Sequence, residues 1–187
     1  VAGGGAGAAK TAPVLRALVE SDAAPTPFRE RVLDVWEAAA HLSGAVADVR
    51  AARLRRCRFK DEDDLWVSFL VVELPNAPSD DAALWLKPLL SRKALVRRLV
   101  DAEANSGGAR SGLADALAVL VKSGDATLVV DALAPLHGDV PLPAALASEL
   151  GSALAILGRP VDAAHVLLRS PEGGARRAWR AAQLFLE

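Results

Sequence analysis

The chain has 187 residues, a formal net charge of −1 and a hydrophobic fraction of 52%. That near-neutral balance excludes a global field that would draw the protein to nucleic acid or to an anionic membrane, and no uncharged run approaches the ~20 residues that cross a bilayer. A single cysteine, Cys57, excludes an internal disulfide and fits a reducing compartment.

The length suits one domain or an array of about five helical hairpins. Much of the apolar content is alanine, the strongest helix former. Residues 1–10 read as a flexible Gly/Ala leader. Within it, Gly4 to Thr11 approaches a phosphate-binding loop, but Ala9 stands where the loop needs glycine beside Lys10. No strand precedes it and Pro13 follows, so nucleotide binding is not expected.

Residues 11–104 read as an irregular helical region. Thr11 to Glu20 gives a short helix with Val14, Leu15, Leu18 and Val19 apolar. Thr26 caps the next helix and Pro27 takes its first position. Phe28, Val32, Val35, Trp36 and Ala39 are assigned to its buried face, and Gly44 ends it. Ala45 to Phe59 is a basic amphipathic helix, with Val46, Val49, Leu54 and Cys57 inward and Arg50, Arg53, Arg55, Arg56 and Arg58 outward. Asp61 to Asp64 is an acidic helix start, favoured by the helix dipole. Leu65 to Leu74 is densely apolar; periodicity leaves helix and strand open, and its helical neighbours select helix. Ser79 caps a helix carrying Trp85, Leu86, Leu89 and Leu90, which Pro88 kinks or ends. Arg92 to Ala104 continues with Leu95, Val96, Leu99 and Val100.

Residues 105–112 form a linker, and 113–187 read as helical hairpins. In the best-defined one, Leu146, Leu150, Ala153, Leu154 and Leu157 keep helical spacing, Gly158 is a C-terminal cap and Pro160 opens the return helix. Ala153, Ala163 and Ala164 let the two backbones approach closely. Shifted back by 34 residues, Gly158 falls on Gly124, Leu154 on Leu120, Leu167 on Leu133 and Ala164 on Val130. An offset of about 34 is the tetratricopeptide period. Leu150-Gly151-x-Ala153, Leu157-Gly158-Arg159 and Asp162-Ala163-Ala164 resemble the signature of that family, and Pro141 falls where the upstream unit would carry its closing proline. The resemblance spans Gly108 to Glu187, and pentatricopeptide repeats share a similar period. Leu117 and Val129 depart from it, replacing the small residues that Gly151 and Ala163 supply, and Pro171 shortens the last return helix. Ala175 to Glu187, with Trp179, Ala182, Leu184 and Phe185, is read as a first helix of a third unit or a cap. The fold expected is all-α, antiparallel hairpins stacked as a short α-solenoid, which leaves a concave surface for a partner.

No motif announces chemistry. His41, His137 and His165 lack a second His or Cys at metal-ligand spacing, and no nucleophile elbow or zinc-protease motif occurs. His41 and His137 suit helix C-terminal turns, where a cation is favoured. An enzyme, a cofactor and a metal are therefore not expected. Three arginine clusters are the candidate contacts: Arg50, Arg53 and Arg56 about a turn apart, Arg97 beside Arg98, and Arg176, Arg177 and Arg180. Guanidinium groups at such spacing grip phosphates, though only Phe59 and Trp179 offer stacking surfaces beside them. The expected function is a non-catalytic scaffold or subunit of a larger assembly that binds other proteins. The alternative is an RNA-associated protein contacting the phosphate backbone, for instance a peripheral part of a mitochondrial ribosome or other ribonucleoprotein. The missing initiator and the arginine-rich composition point to an intracellular setting, mitochondrial before cytoplasmic.

Overall fold

A computed structural model describes residues 11, 13–19, 25–105, 112–139, 141–169 and 183. Among the described residues the protein is all-α, without a strand. The helices are α1 Thr26–Ser43, α2 Val46–Lys60, α3 Asp63–Glu73, α4 Ser79–Leu86, α5 Lys93–Asn105, α6 Leu113–Lys122, α7 Ala126–Asp139, α8 Ala144–Ile156 and α9 Pro160–Arg169. Short 3-10 turns lie at Leu74–Asn76 and Lys87–Leu89. The chain divides into two compact units, Val1–Phe69 and Leu70–Glu187, and the division falls inside α3. Most of the linker expected over 105–112, and all of the final helix except residue 183, lie outside the described residues.

In the first unit, Val19 from helical residues 13–19 joins Val32, Leu33 and Trp36 of α1 and Ala52 of α2 in one apolar cluster, with Leu15 and Ala51 against it. The buried face of α1 differs from the expectation. Val32, Leu33, Trp36 and Ala40 are buried, while Phe28 and Val35 are exposed. The buried arc is turned toward Leu33, and this carries Glu30, Asp34 and Glu37 to the side where α2 lies. On α2, Val49, Ala52 and Cys57 are buried, and Val46 is not. The helix ends at Asp61 in the left-handed conformation (φ 51°), with its N–H on the Cys57 carbonyl. The Asp61 carboxylate accepts a hydrogen bond from Trp66 Nε1 at 3.2 Å. Trp66 in turn meets Phe69 edge-on, ring centroids 6.2 Å apart.

The apolar run read as helix over strand is α3. Trp66, Phe69, Leu70 and Glu73 are buried at helical spacing.

In the second unit, α4 ends at Leu86 and the chain continues as the 3-10 turn holding Pro88. Trp85, Leu86, Leu89 and Leu90 are buried, as are Leu95, Val96, Leu99 and Val100 of α5. Helix α6 packs against α4, α7 and α8, and α8 packs against α6, α7 and most extensively α9. Ala153, Ala163 and Ala164 are fully buried between α8 and α9. Gly151 lies so close to α9 that an added Cβ would stand 3.2 Å from Leu167 Cγ.

The 34-residue offset seen in the sequence is repeated in the hydrogen bonds of two turns. The N–H groups of Ser123, Gly124 and Asp125 reach the carbonyls of Val119, Val121 and Leu120. Those of Leu157, Gly158 and Arg159 reach Ala153, Ala155 and Leu154, each pair displaced by the same offset. Gly44 and Ala45 bond to His41 and Ala40 in the same manner. All three are Schellman closures, in which a glycine with positive φ satisfies helix-end carbonyls. Their φ values are 69°, 91° and 71° at Gly44, Gly124 and Gly158.

Candidate functional site

Three carboxylates on α1, Glu30, Asp34 and Glu37, follow one another at i, i+4 and i+7 and share one side of the helix. On α2, Arg53, Arg56 and Lys60 are spaced i, i+3 and i+7. Lys60 meets Glu30 at 3.3 Å, Arg56 meets Asp34 at 2.7 Å and Glu37 at 3.0 Å, and Arg53 meets Glu37 at 2.8 Å. Numbers rise along α1 as they fall along α2, so the two helices run antiparallel. His41 extends the row, with Nε2 3.8 Å from Glu37 and 3.3 Å from Arg53. Exposed pairs of this kind contribute under about 1 kcal/mol each. Their effect is on which faces of the two helices meet more than on stability.

The row borders a cavity of about 280 Å³ lined by Glu30, Leu33, Asp34, Arg56, Phe59, Lys60, Glu62 and Leu65. Its floor is apolar and its rim is charged. Arg56 and Lys60 on that rim are already in ion pairs, so an entering anion competes with Asp34, Glu37 and Glu30 for them.

Of the arginines singled out by sequence, Arg53 and Arg56 are therefore brought together through Glu37, and Arg50 is half-buried one turn earlier on α2. Arg97 belongs to the second unit, is exposed on α5 and lies 3.6 Å from Asp139. It lines a smaller cavity of about 80 Å³ with Val100, Asp101, Ala104, Leu136, Pro141, Leu142 and Pro143. Arg176, Arg177 and Arg180 lie outside the described residues. The carboxylates that hold Arg53, Arg56 and Lys60 were not read from the sequence as their partners. The matched spacing of the two rows was the available signal.

Comparison with known proteins returns no match: no family model, no curated protein and no solved structure is significantly similar to this chain.

Among the described residues, no group of three His, Cys, Asp or Glu side chains is placed to hold a metal ion, and no helix is long and apolar enough to cross a membrane. Cys57 is buried, its Sγ donating to the Leu65 carbonyl at 3.4 Å. Burial raises the thiol to about 11, against the smaller opposing pull of Arg56, so little nucleophilic thiolate forms near neutrality. Glu103 on α5 is also raised, first by burial and then by Asp115.

His137 departs from the role expected of it. It does occupy the last turn of α7, but it is only 6% exposed, and neither ring nitrogen has a hydrogen-bond partner. Burial, and secondarily Arg169, lowers its pKa below the ordinary 6.5. Desolvation outweighs the helix-end field, and the imidazole sits neutral in the unit. The linkage sign follows. As pH falls below about 6.5, the unfolded chain takes up the proton before the folded one, and stability declines. Replacing His137 with leucine removes two unsatisfied buried nitrogens, so the variant is expected to be about 1–2 kcal/mol more stable at pH 8. Its advantage grows at pH 5. Urea unfolding of both proteins at the two pH values measures this, and parallel pH dependence would show that His137 does not titrate between the states.

Proposed function

We propose that this chain is a non-catalytic scaffold, a subunit that holds partner proteins of a larger assembly on the surfaces of stacked helical hairpins. In this reading the second unit is a short tetratricopeptide-like array. It is supported by two Schellman turns related by one offset and by the packing of α8 on both α6 and α7. The observation that carries the binding role is in the first unit. Leu42 and Val46 flank the two-residue turn between α1 and α2, and they are 78% and 69% exposed. Covering one such side chain is worth about 1.5–3 kcal/mol, so a partner that seats on this turn gains from both. The pairing of Arg53 and Arg56 with Glu37 and Asp34 weighs against the RNA alternative, because a phosphate must displace a carboxylate to reach them.

The test is gentle purification of the native protein from its source, with and without RNase, beside a Leu42→Asp, Val46→Asp variant. A protein set that survives RNase and is lost from the variant is the expected result. A set that dissociates with RNase overturns the scaffold reading in favour of RNA. A set that ignores the two substitutions removes this surface from it.

A further inference from the structure

The cavity beside the charge row has a lining that selects a ligand. Leu33 of α1, Phe59 of α2 and Leu65 of α3 give it an apolar floor. Leu33 is buried, while Phe59 and Leu65 are half-buried. The turn that supplies one wall is tied down. Asp61 ends α2 in the left-handed conformation and accepts the Trp66 Nε1 hydrogen bond at 3.2 Å. The Leu65 carbonyl receives Cys57 Sγ at 3.4 Å. These contacts fasten the segment holding Glu62 and Leu65 to α2, so the cavity is formed before any ligand enters.

The charges on the rim do not cancel. Three are carboxylates, Glu30, Asp34 and Glu62, and two are cations, Arg56 and Lys60. Glu30 holds Lys60 at 3.3 Å, and Asp34 and Glu37 hold Arg56 at 2.7 and 3.0 Å. Glu62 is exposed, and among the described residues its carboxylate has neither an ion pair nor a hydrogen bond. Asp61, Asp63 and Asp64 on either side of it in the chain carry the same sign. Arg58 lies two residues from both Arg56 and Lys60 and therefore projects from the opposite side of α2.

We propose that this cavity is a binding site for a small organic amine, its ammonium group seated at Glu62 and its apolar body lying on Leu33, Phe59 and Leu65. Phe59 also offers an aromatic ring, whose face attracts a cation. The volume of about 280 Å³ exceeds the ~150 Å³ that holds a benzene ring and falls just below the ~300 Å³ at which larger ligand sites begin. One ring and a short amine arm fill it. An anion of the same shape is disfavoured, because it meets Glu62 unneutralised and must displace Glu30 or Asp34 to reach a cation. The inference is independent of the scaffold reading, which concerns Leu42 and Val46.

NMR titration of the full chain with phenethylamine at low salt and neutral pH tests it, with circular dichroism confirming that each variant is folded. Saturable shifts centred on Phe59 to Leu65 are expected, with a Kd of roughly 0.1–1 mM. Hydrocinnamate keeps the ring and reverses the charge, and ethylamine keeps the charge without the ring. Each should bind about tenfold more weakly or worse. Glu62→Gln, an exposed and isosteric change, should weaken phenethylamine about tenfold and bring it within about threefold of hydrocinnamate. Leu65→Trp fills the cavity without changing a charge and should abolish binding. No saturation below about 10 mM overturns the proposal. So does hydrocinnamate binding as well as the amine, or a Glu62→Gln variant that binds unchanged. A preference for acetyl-lysinamide over phenethylamine also overturns it, and assigns the cavity to a lysine side chain of another protein.

Discussion

Replacing Gly112 with alanine is expected to lower the unfolding free energy by about 2–5 kcal/mol. Gly112 precedes α6 with φ +74°, and its α-carbon faces the backbone of Leu74 and Pro75. An added Cβ would overlap the Leu74 carbonyl, and backbone cannot rotate aside as a side chain does. The left-handed conformation contributes about 1–2 kcal/mol of the loss, and displacement of one chain segment from the other contributes the rest. Gly124 separates the two. It too has positive φ, but nothing lies within 4 Å of its would-be Cβ, so Gly124→Ala should show the conformational part alone. Chemical denaturation of both variants gives the comparison. Equal losses would mean that the approach to Leu74 carries no weight.

The second large effect is at Gly151, which is helical and confined for a different reason. Its would-be Cβ meets Leu167 Cγ at 3.2 Å, Leu167 Cδ2 at 3.3 Å and the Ala163 carbonyl at 3.6 Å. Alanine there asks Leu167 to yield a few tenths of an ångström, and the better helix propensity of alanine, about 1 kcal/mol, offsets this. Leucine has no space for its outer carbons and should destabilise by about 1–3 kcal/mol or slightly more. The neighbour is identified by a double-mutant cycle. Leu167→Ala alone should cost about 2–5 kcal/mol through the cavity it leaves. In that background Gly151→Leu should be nearly neutral, because the leucine fills the space vacated. Additive losses would show that the crowding comes from elsewhere.

These two glycines differ in how far they could be read from the sequence. Gly151 lies in a segment whose spacing, offset and small residues were legible, and its place against α9 follows from the hairpin that Gly158 and Pro160 announce. Gly112 was legible only as part of a linker, because its constraint comes from Leu74, far away in the chain, and no local pattern records such an approach. The same division holds on α1. That Thr26 to Gly44 is a helix follows from its proline start and glycine stop. Which side it buries does not, since Val32 and Trp36 suit two neighbouring arcs. The choice fell to the arc of Leu33 because it packs with Val19 and Ala52 in one cluster, and Glu30, Asp34 and Glu37 then face α2. His137 was placed correctly in a last turn, but burial depends on the surrounding helices, so its neutral state was not visible. Arg53 and Arg56 were read as outward-facing because a single-helix wheel contains no partner helix.

The charge row between α1 and α2 has a consequence for how the hairpin can err. If α2 slid along α1 by one helical turn, Arg56 would reach Glu30 and Arg53 would reach Asp34. Opposite charges would still meet, and only Lys60 would fall off the end. The electrostatics therefore bring the two charged faces together but tolerate a one-turn slip almost without penalty. Leu33, Trp36 and Ala52 do not tolerate it, because a slip of that length takes Ala52 from its place in their cluster. Which faces meet and where the pair stops sliding are thus fixed by two separate codes, one written in charge and erased by salt, the other written in shape and indifferent to it.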